Sequence, residues 1–199
     1  IQGLAEQCRG EVYDNIPTAE IARSLVMVAR SFIELDPAYS KVAARLMLAK
    51  LYKDLIGSGI DYARLDQQYR EAFARNIQNC VGVGKLDKRM LEFDLEALAL
   101  HLQPMRDDLL RYLGVQRLYD QYFLKNADTR EVLEAPQMFW MRVAMGLAMG
   151  EDEKTKRAQE FYEVLSTLRY VPSSPTLYHA GMARAQLSSC FLSTVGDDL

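Results

Sequence analysis

The triplet Ser188-Ser189-Cys190 places the one thiol of this 199-residue chain with a setting suited to covalent or redox chemistry. It lies in a run from Gln186 to Val195 that alternates loosely with strand-favouring residues, directly after a stretch rich in serine, proline and glycine. A strand holds its side chains more firmly than a loop, and small hydroxyl neighbours leave room and hydrogen bonds for an oxygen-rich ligand. On spacing alone Cys190 reads as a buried structural cysteine. His179, in a segment expected to be a loop, precedes it by eleven residues. That separation neither requires nor excludes a Cys-His nucleophile pair, and no third residue to orient the imidazole is evident; the plain alternative is a surface histidine.

Other chemistry is poorly supplied. Gly82-Val83-Gly84-Lys85 lacks the upstream glycine of a phosphate loop and has Leu86 where a magnesium-binding Ser or Thr belongs, so it reads as an interhelical turn. With only His101 and His179, and no Cys-x-x-Cys, His-Glu-x-x-His or Glu-x-x-His, no familiar zinc or di-iron site is expected. Asp107-Asp108 is expected to begin a helix, where the backbone dipole favours acids. Tyr62, Tyr69 and Phe73 form an aromatic stripe expected to belong to the core.

The elements that must carry these residues are helical. Thr18 and Glu20 open a segment in which Ile21, Leu25, Val28 and Phe32 recur at helical spacing. Asp36-Pro37 supplies a cap and a first-turn proline for a long central helix to about Ile56, stopped by Gly57. A third helix carries Tyr62, Leu65, Tyr69, Phe73 and Ile77. Short helices are expected over 94–102 and 107–113, split by Pro104, and another over 115–124. Pro136 opens a helix apolar on most of its circumference, and Asp152 is expected to cap the next. Pro172 to Thr176 reads as a loop, and Gln186 to Val195 as the only convincing strand.

Composition sets the outer bounds. Apolar residues make up 49% and charged residues 26%, as in globular domains. The net charge of -3 is spread along the chain, which speaks against a nucleic-acid partner. The strongly apolar stretch Met138 to Met149 contains Arg142 and falls short of the roughly 20 residues a bilayer requires, so no membrane partner is expected. Three widely spaced cysteines, Cys8, Cys80 and Cys190, do not suggest a secreted disulfide framework, and a cytoplasmic location is expected. The chain opens on Ile1 and stops just after a strand-like run, so both ends are expected to be cut.

Val171-Pro172-Ser173-Ser174-Pro175-Thr176-Leu177-Tyr178-His179-Ala180-Gly181, followed by Gln186-Leu187-Ser188-Ser189-Cys190-Phe191-Leu192, resembles the opening active-site motif of ribonucleotide reductase large subunits. The family's helical region also shows Pro-x-Tyr and then Ala-Ala-Arg-Leu, present here as Asp36-Pro37-Ala38-Tyr39 and Ala43-Ala44-Arg45-Leu46. Tyr112-Leu113-Gly114-Val115-Gln116 through Tyr119-Asp120-Gln121-Tyr122, and Glu134-Ala135-Pro136-Gln137-Met138, are similar to it too. The resemblance covers nearly the whole chain. It is nearest to the aerobic class that borrows its radical from a separate metal-containing subunit, while the B12-dependent class shares the Ser-Pro-Thr-Leu and Ser-Ser-Cys elements.

The resemblance implies a mainly α architecture: a helical N-terminal domain over 1–170, then, over 171–199, the first strand of the α/β catalytic barrel. It implies that Cys190 is one of two redox cysteines that form a disulfide while reducing the ribose 2'-position, that Ser189 contacts substrate, and that Ser174 helps hold its phosphates. Asp197, with Asp198 adjacent, would fall in the loop binding the ribose of the deoxynucleotide effector. No cofactor is implied within the chain; a radical-generating metal cofactor belongs to a partner subunit, and dNTP and ATP effectors to the full enzyme. Implied partners are the remainder of the large subunit, the radical-generating small subunit, a thioredoxin- or glutaredoxin-type reductant and the ribonucleotide substrate, with large subunits forming a homodimer. The thiyl-radical cysteine, its asparagine and glutamate, and the second redox cysteine have no counterpart here, so the piece alone is expected to be inactive. The contrasting expectation is a non-catalytic helical interaction or regulatory module derived from a reductase.

Overall fold

The computed structural model describes residues 2–57 and 59–196. Among them the regular elements are helical: α1 (Gln2–Gly10), α2 (Thr18–Ser31), α3 (Tyr39–Ile56), α4 (Leu65–Gly82), α5 (Leu95–His101), α6 (Tyr112–Arg117), α7 (Pro136–Ala148), α8 (Lys154–Ser166) and α9 (Ser174–His179). The chain divides into two compact units, Ile1–Asn76 with Ala99–Phe139, and Ile77–Leu98 with Trp140–Leu199.

In the first unit, α2 packs on α3 through alanines: Ala29, Ala43 and Ala44 are at most 1% exposed. Small side chains let helix axes approach closely. Their neighbours Met47, Leu48, Leu51 and Tyr52 are buried as well, consistent with a central α3. The helix begins later than expected, because Asp36 accepts a hydrogen bond from the Ala38 backbone amide (2.8 Å) and closes a turn of its own. Gly57 ends it at φ 109°, a region side chains avoid. The aromatic stripe is divided: Tyr69 and Phe73 are fully buried, whereas Tyr62 is 64% exposed, since it lies in a 3-10 turn (Tyr62–Arg64) before α4 begins.

Asp107 and Asp108 do not begin an α-helix. Pro104 starts a 3-10 turn through Leu109, and this tighter winding turns the two carboxylates to different sides. Asp108 meets Arg45 at the surface (3.1 and 3.2 Å), with both side chains more than half exposed, so solvent screens the pair and it adds little to stability. Asp107 is 2% exposed and accepts hydrogen bonds from the Tyr52 hydroxyl (2.6 Å), the Gln137 side-chain amide (2.8 Å) and the Tyr69 hydroxyl (3.3 Å). The Tyr69 hydroxyl in turn accepts from the Gln137 backbone amide (3.0 Å). Burial raises the Asp107 carboxyl to about 7 against the opposing pull of the three donors, and burial beside this acid also raises Tyr52.

The second unit is organised by α7. From Trp140 to Met145 each side chain is at most 3% exposed, as the all-round apolar pattern predicts. The turn after α4 is a helix stop: Gly84 takes φ 71°, and the Lys85 and Leu86 amides both donate to the Cys80 carbonyl. Its phosphate-loop likeness is thereby explained as a turn. Asp152 does not cap α8; the cap position is Glu153, and its side chain makes no capping bond. Within α7, Gly146 is the closest backbone approach, for a Cβ there would lie 2.2 Å from the Gly181 amide nitrogen.

The strand expected over Gln186 to Val195 does not form among the described residues. The segment is irregular, bends at Ser189, is exposed and joins no ladder, and a strand exists only where a neighbour exchanges hydrogen bonds with it. The Pro172–Thr176 loop is likewise shorter than expected: Ser174 to His179 is helical, with Pro175 in the first turn, where its missing N–H costs nothing.

Two outcomes follow for stability. The native Asp107 carboxyl, at about 7, binds its proton more tightly than in the unfolded chain near 3.9, so its contribution to stability is complete below about pH 4 and is lost as pH rises through 7. Denaturant titrations from pH 5 to 8.5 are expected to show wild type losing roughly 2–3 kcal/mol relative to Asp107→Asn, nearly all of it below about pH 7; parallel curves would refute this. Gly146→Ala forces the Gly181 backbone aside and should cost about 1–3 kcal/mol, read as a lowered thermal midpoint.

Candidate functional site

Ser174, His179, Ser189 and Cys190 lie in the second unit, on α9 and the irregular segment after it. Six residues of helix are too few to be stable alone, so the position of α9 is dictated by what grips it. At its C-terminal end Arg142, 0% exposed, donates from Nη1 to the Ala180 carbonyl (2.7 Å) and from Nη2 to the Leu177 carbonyl (3.3 Å). The chain then turns at Gly181 (φ 81°), pressed between Gly146, Met90 and the Arg142 stem. Beyond the turn Met182 pairs with Leu86, while the Asp87 amide donates to Gly181 and the Ala183 amide to Lys85 (both 3.0 Å).

Ser174 is the first residue of α9 and is exposed. The segment after the turn is tied back to the same helix at two points. Thr176 Oγ1 donates to the Leu187 carbonyl (3.4 Å), and His179 Nδ1 bonds the Gln186 carbonyl (2.8 Å). A carbonyl only accepts, so Nδ1 carries the ring proton. That bond sets the ring tautomer and leaves Nε2 as the nitrogen able to accept a proton.

Ser189 and Cys190 follow within three residues of the tethered Leu187, both exposed, and Cys190 is a free thiol. The buried structural role that spacing alone suggests does not apply to it. Cys8 and Cys80 are buried, and burial raises the Cys8 thiol further from reactivity. Asp197 and Asp198 lie outside the described residues. No group of three or more His, Cys, Asp or Glu able to hold a metal occurs among the described residues, and no helix there is long and apolar enough to cross a membrane.

The site therefore presents a hydroxyl at the head of α9, and a hydroxyl and a thiol on the irregular segment tied to that helix at Gln186 and Leu187. Such a set can hydrogen-bond an oxygen-rich ligand and exchange a thiol for a disulfide. Sequence reasoning singled out these groups but not their support. Arg142 is noticeable only as a lone cation in an apolar run, and Gly146 as a glycine within a helix, a position that usually has a packing reason. Under native conditions a thiol-specific reagent is expected to label Cys190 rapidly, and Cys8 and Cys80 only on unfolding, as peptide mapping of timed samples would reveal.

The sequence pattern described as "Ribonucleotide reductase, all-alpha domain" matches residues 108–185, which include α9 and the turn that anchors it. Among curated proteins, the ribonucleoside-diphosphate reductase subunit alpha of Chlamydia muridarum is 44% identical over 98% of this chain and 18% of its own length. The corresponding subunit of Helicobacter pylori is 37% identical over 98% of the chain and 24% of its length. The large subunit from African swine fever virus is 32% identical over the whole chain and 25% of its length. The chain spans about a fifth to a quarter of the length of these relatives. With motif, helical architecture and similarity along nearly all of its residues in agreement, the chain belongs to the ribonucleotide reductase large-subunit family, of which it represents an N-terminal part.

Proposed function

We propose that this chain forms the helical N-terminal part of a ribonucleoside-diphosphate reductase large subunit and contributes one edge of its active site. The observation that carries the reading is the joint placement of the Ser-Pro-Thr and Ser-Ser-Cys motifs: Ser174 heads α9, and the Thr176 and His179 tethers bring the Cys190 segment back to that helix. In this reading residues 171–199 begin the catalytic α/β barrel, whose remaining strands supply the ladder that Gln186 to Val195 lacks here.

Cys190 acts with a second cysteine contributed by the rest of the subunit. The two thiols give up two electrons and two protons and become a disulfide; the ribose C2'–OH bond is replaced by C2'–H, and the hydroxyl leaves as water. Thiol exchange with a thioredoxin- or glutaredoxin-type protein resets the pair. Ser174 holds substrate phosphate oxygens, Ser189 contacts the nucleotide, and Asp197 with Asp198 contributes to the effector ribose site. The radical that starts the reaction comes from a metal-containing small subunit, and large subunits pair as a homodimer under dNTP and ATP control in the cytoplasm.

The test uses the full-length large subunit with its radical-supplying partner and a dithiol reductant. Cys190→Ser is expected to lower deoxynucleotide formation by more than about 10³-fold with an unchanged thermal midpoint. Activity within about tenfold of wild type would overturn the assignment and favour a non-catalytic role for this part of the chain.

A further inference from the structure

We infer that Arg142 is a positioning residue for this reaction: by holding the carbonyl oxygens at the C-terminal end of α9, its guanidinium fixes where that helix presents Ser174. The inference rests on the substrate-site reading above.

A guanidinium at 0% exposure carries a heavy desolvation cost that only well-aimed acceptors offset. Arg142 sits in the middle of α7, where every neighbour from Trp140 to Met145 is apolar, and a Met or Leu would fill the volume without that cost. What arginine adds is direction. Its planar fork places two donors on two carbonyls three residues apart, Leu177 and Ala180, which fixes the helix end in rotation as well as in position.

That grip reaches the chemistry by a short path. Ser174 lies a single helical turn before Leu177, so a shift of the carbonyls is delivered to the hydroxyl with little to absorb it. Immediately past Ala180 the backbone has no slack, since Gly181 is confined by Gly146 and Met90. From the same helix the Thr176 and His179 bonds carry the position on to Gln186 and Leu187, and thus towards Ser189 and Cys190. A displacement of about 1 Å at a positioning element is enough to change turnover substantially.

The experiment compares Arg142→Lys, Arg142→Met and Ser174→Ala in the full-length large subunit with its radical-supplying partner. Lysine keeps the charge and nearly the length but lacks the fork. Both Arg142 variants are expected to raise KM for the ribonucleoside diphosphate about tenfold or more, with kcat falling less than KM rises, Met at least as strongly as Lys. Ser174→Ala should raise KM similarly, and the Arg142→Lys/Ser174→Ala double variant should be no worse than the poorer single one. If Ser174→Ala leaves KM unchanged, the substrate-site reading itself fails. If Ser174→Ala raises KM but Arg142→Lys only lowers the thermal midpoint, with KM within about twofold of wild type, the role is purely structural and the inference is overturned. Should neither Arg142 variant fold, amide exchange over 176–183 in the wild-type subunit decides: slowing by more than about threefold on adding the ribonucleoside diphosphate supports the inference, and unchanged exchange refutes it.

Discussion

A polar group removed from water must find its partners inside the protein, and each unit of this chain is organised around one such requirement. In the first unit it is Asp107, which draws Tyr52, Tyr69 and Gln137 from three separate segments onto one carboxyl group. In the second it is Arg142, whose two buried donors settle on the last carbonyls of α9. Apolar packing alone tolerates sliding and exchange of shapes, whereas a buried hydrogen-bonded group accepts few geometries. These two side chains therefore determine register where the surrounding leucines, methionines and alanines only determine proximity.

The consequence for function is a division of labour. The groups suited to chemistry, Ser174, Ser189 and Cys190, are exposed and lie on a six-residue helix and an irregular segment with little cohesion of their own. Their order is borrowed from α7 through Arg142 and Gly146, and from the segment after α4 through the Leu86 and Met182 pairing. A site placed on light elements but anchored to a buried helix remains open to ligand while keeping its coordinates.

Much of this was legible from residue order. The helices α2, α3, α4, α7 and α8 follow from apolar periodicity and helix-stop signals, and the Ser-Pro-Thr and Ser-Ser-Cys motifs pointed to the family that the comparisons then established. The misreadings share a cause. Asp107 and Asp108 look equivalent in sequence, yet a 3-10 turn buries one and exposes the other. Tyr62 fits the period of α4 but precedes its first turn. Gln186 to Val195 has strand-like composition without a strand beside it. In each instance the neighbour that decides the outcome lies outside the local pattern.

The sequence by itself determined the longer helices, which groups could do chemistry and which family the chain resembles, because periodicity, helix stops and motif are properties of residues close together along the chain. Only the tertiary structure decided how the thiol and hydroxyls are carried. Arg142 precedes the carbonyls it holds by 35 and 38 residues, and Asp107 lies 55, 38 and 30 residues from its three donors. Nothing in local order announces such partners. They are selected when burial leaves a charged or polar group no water to turn to, and the Ser-Ser-Cys segment takes its place from that selection.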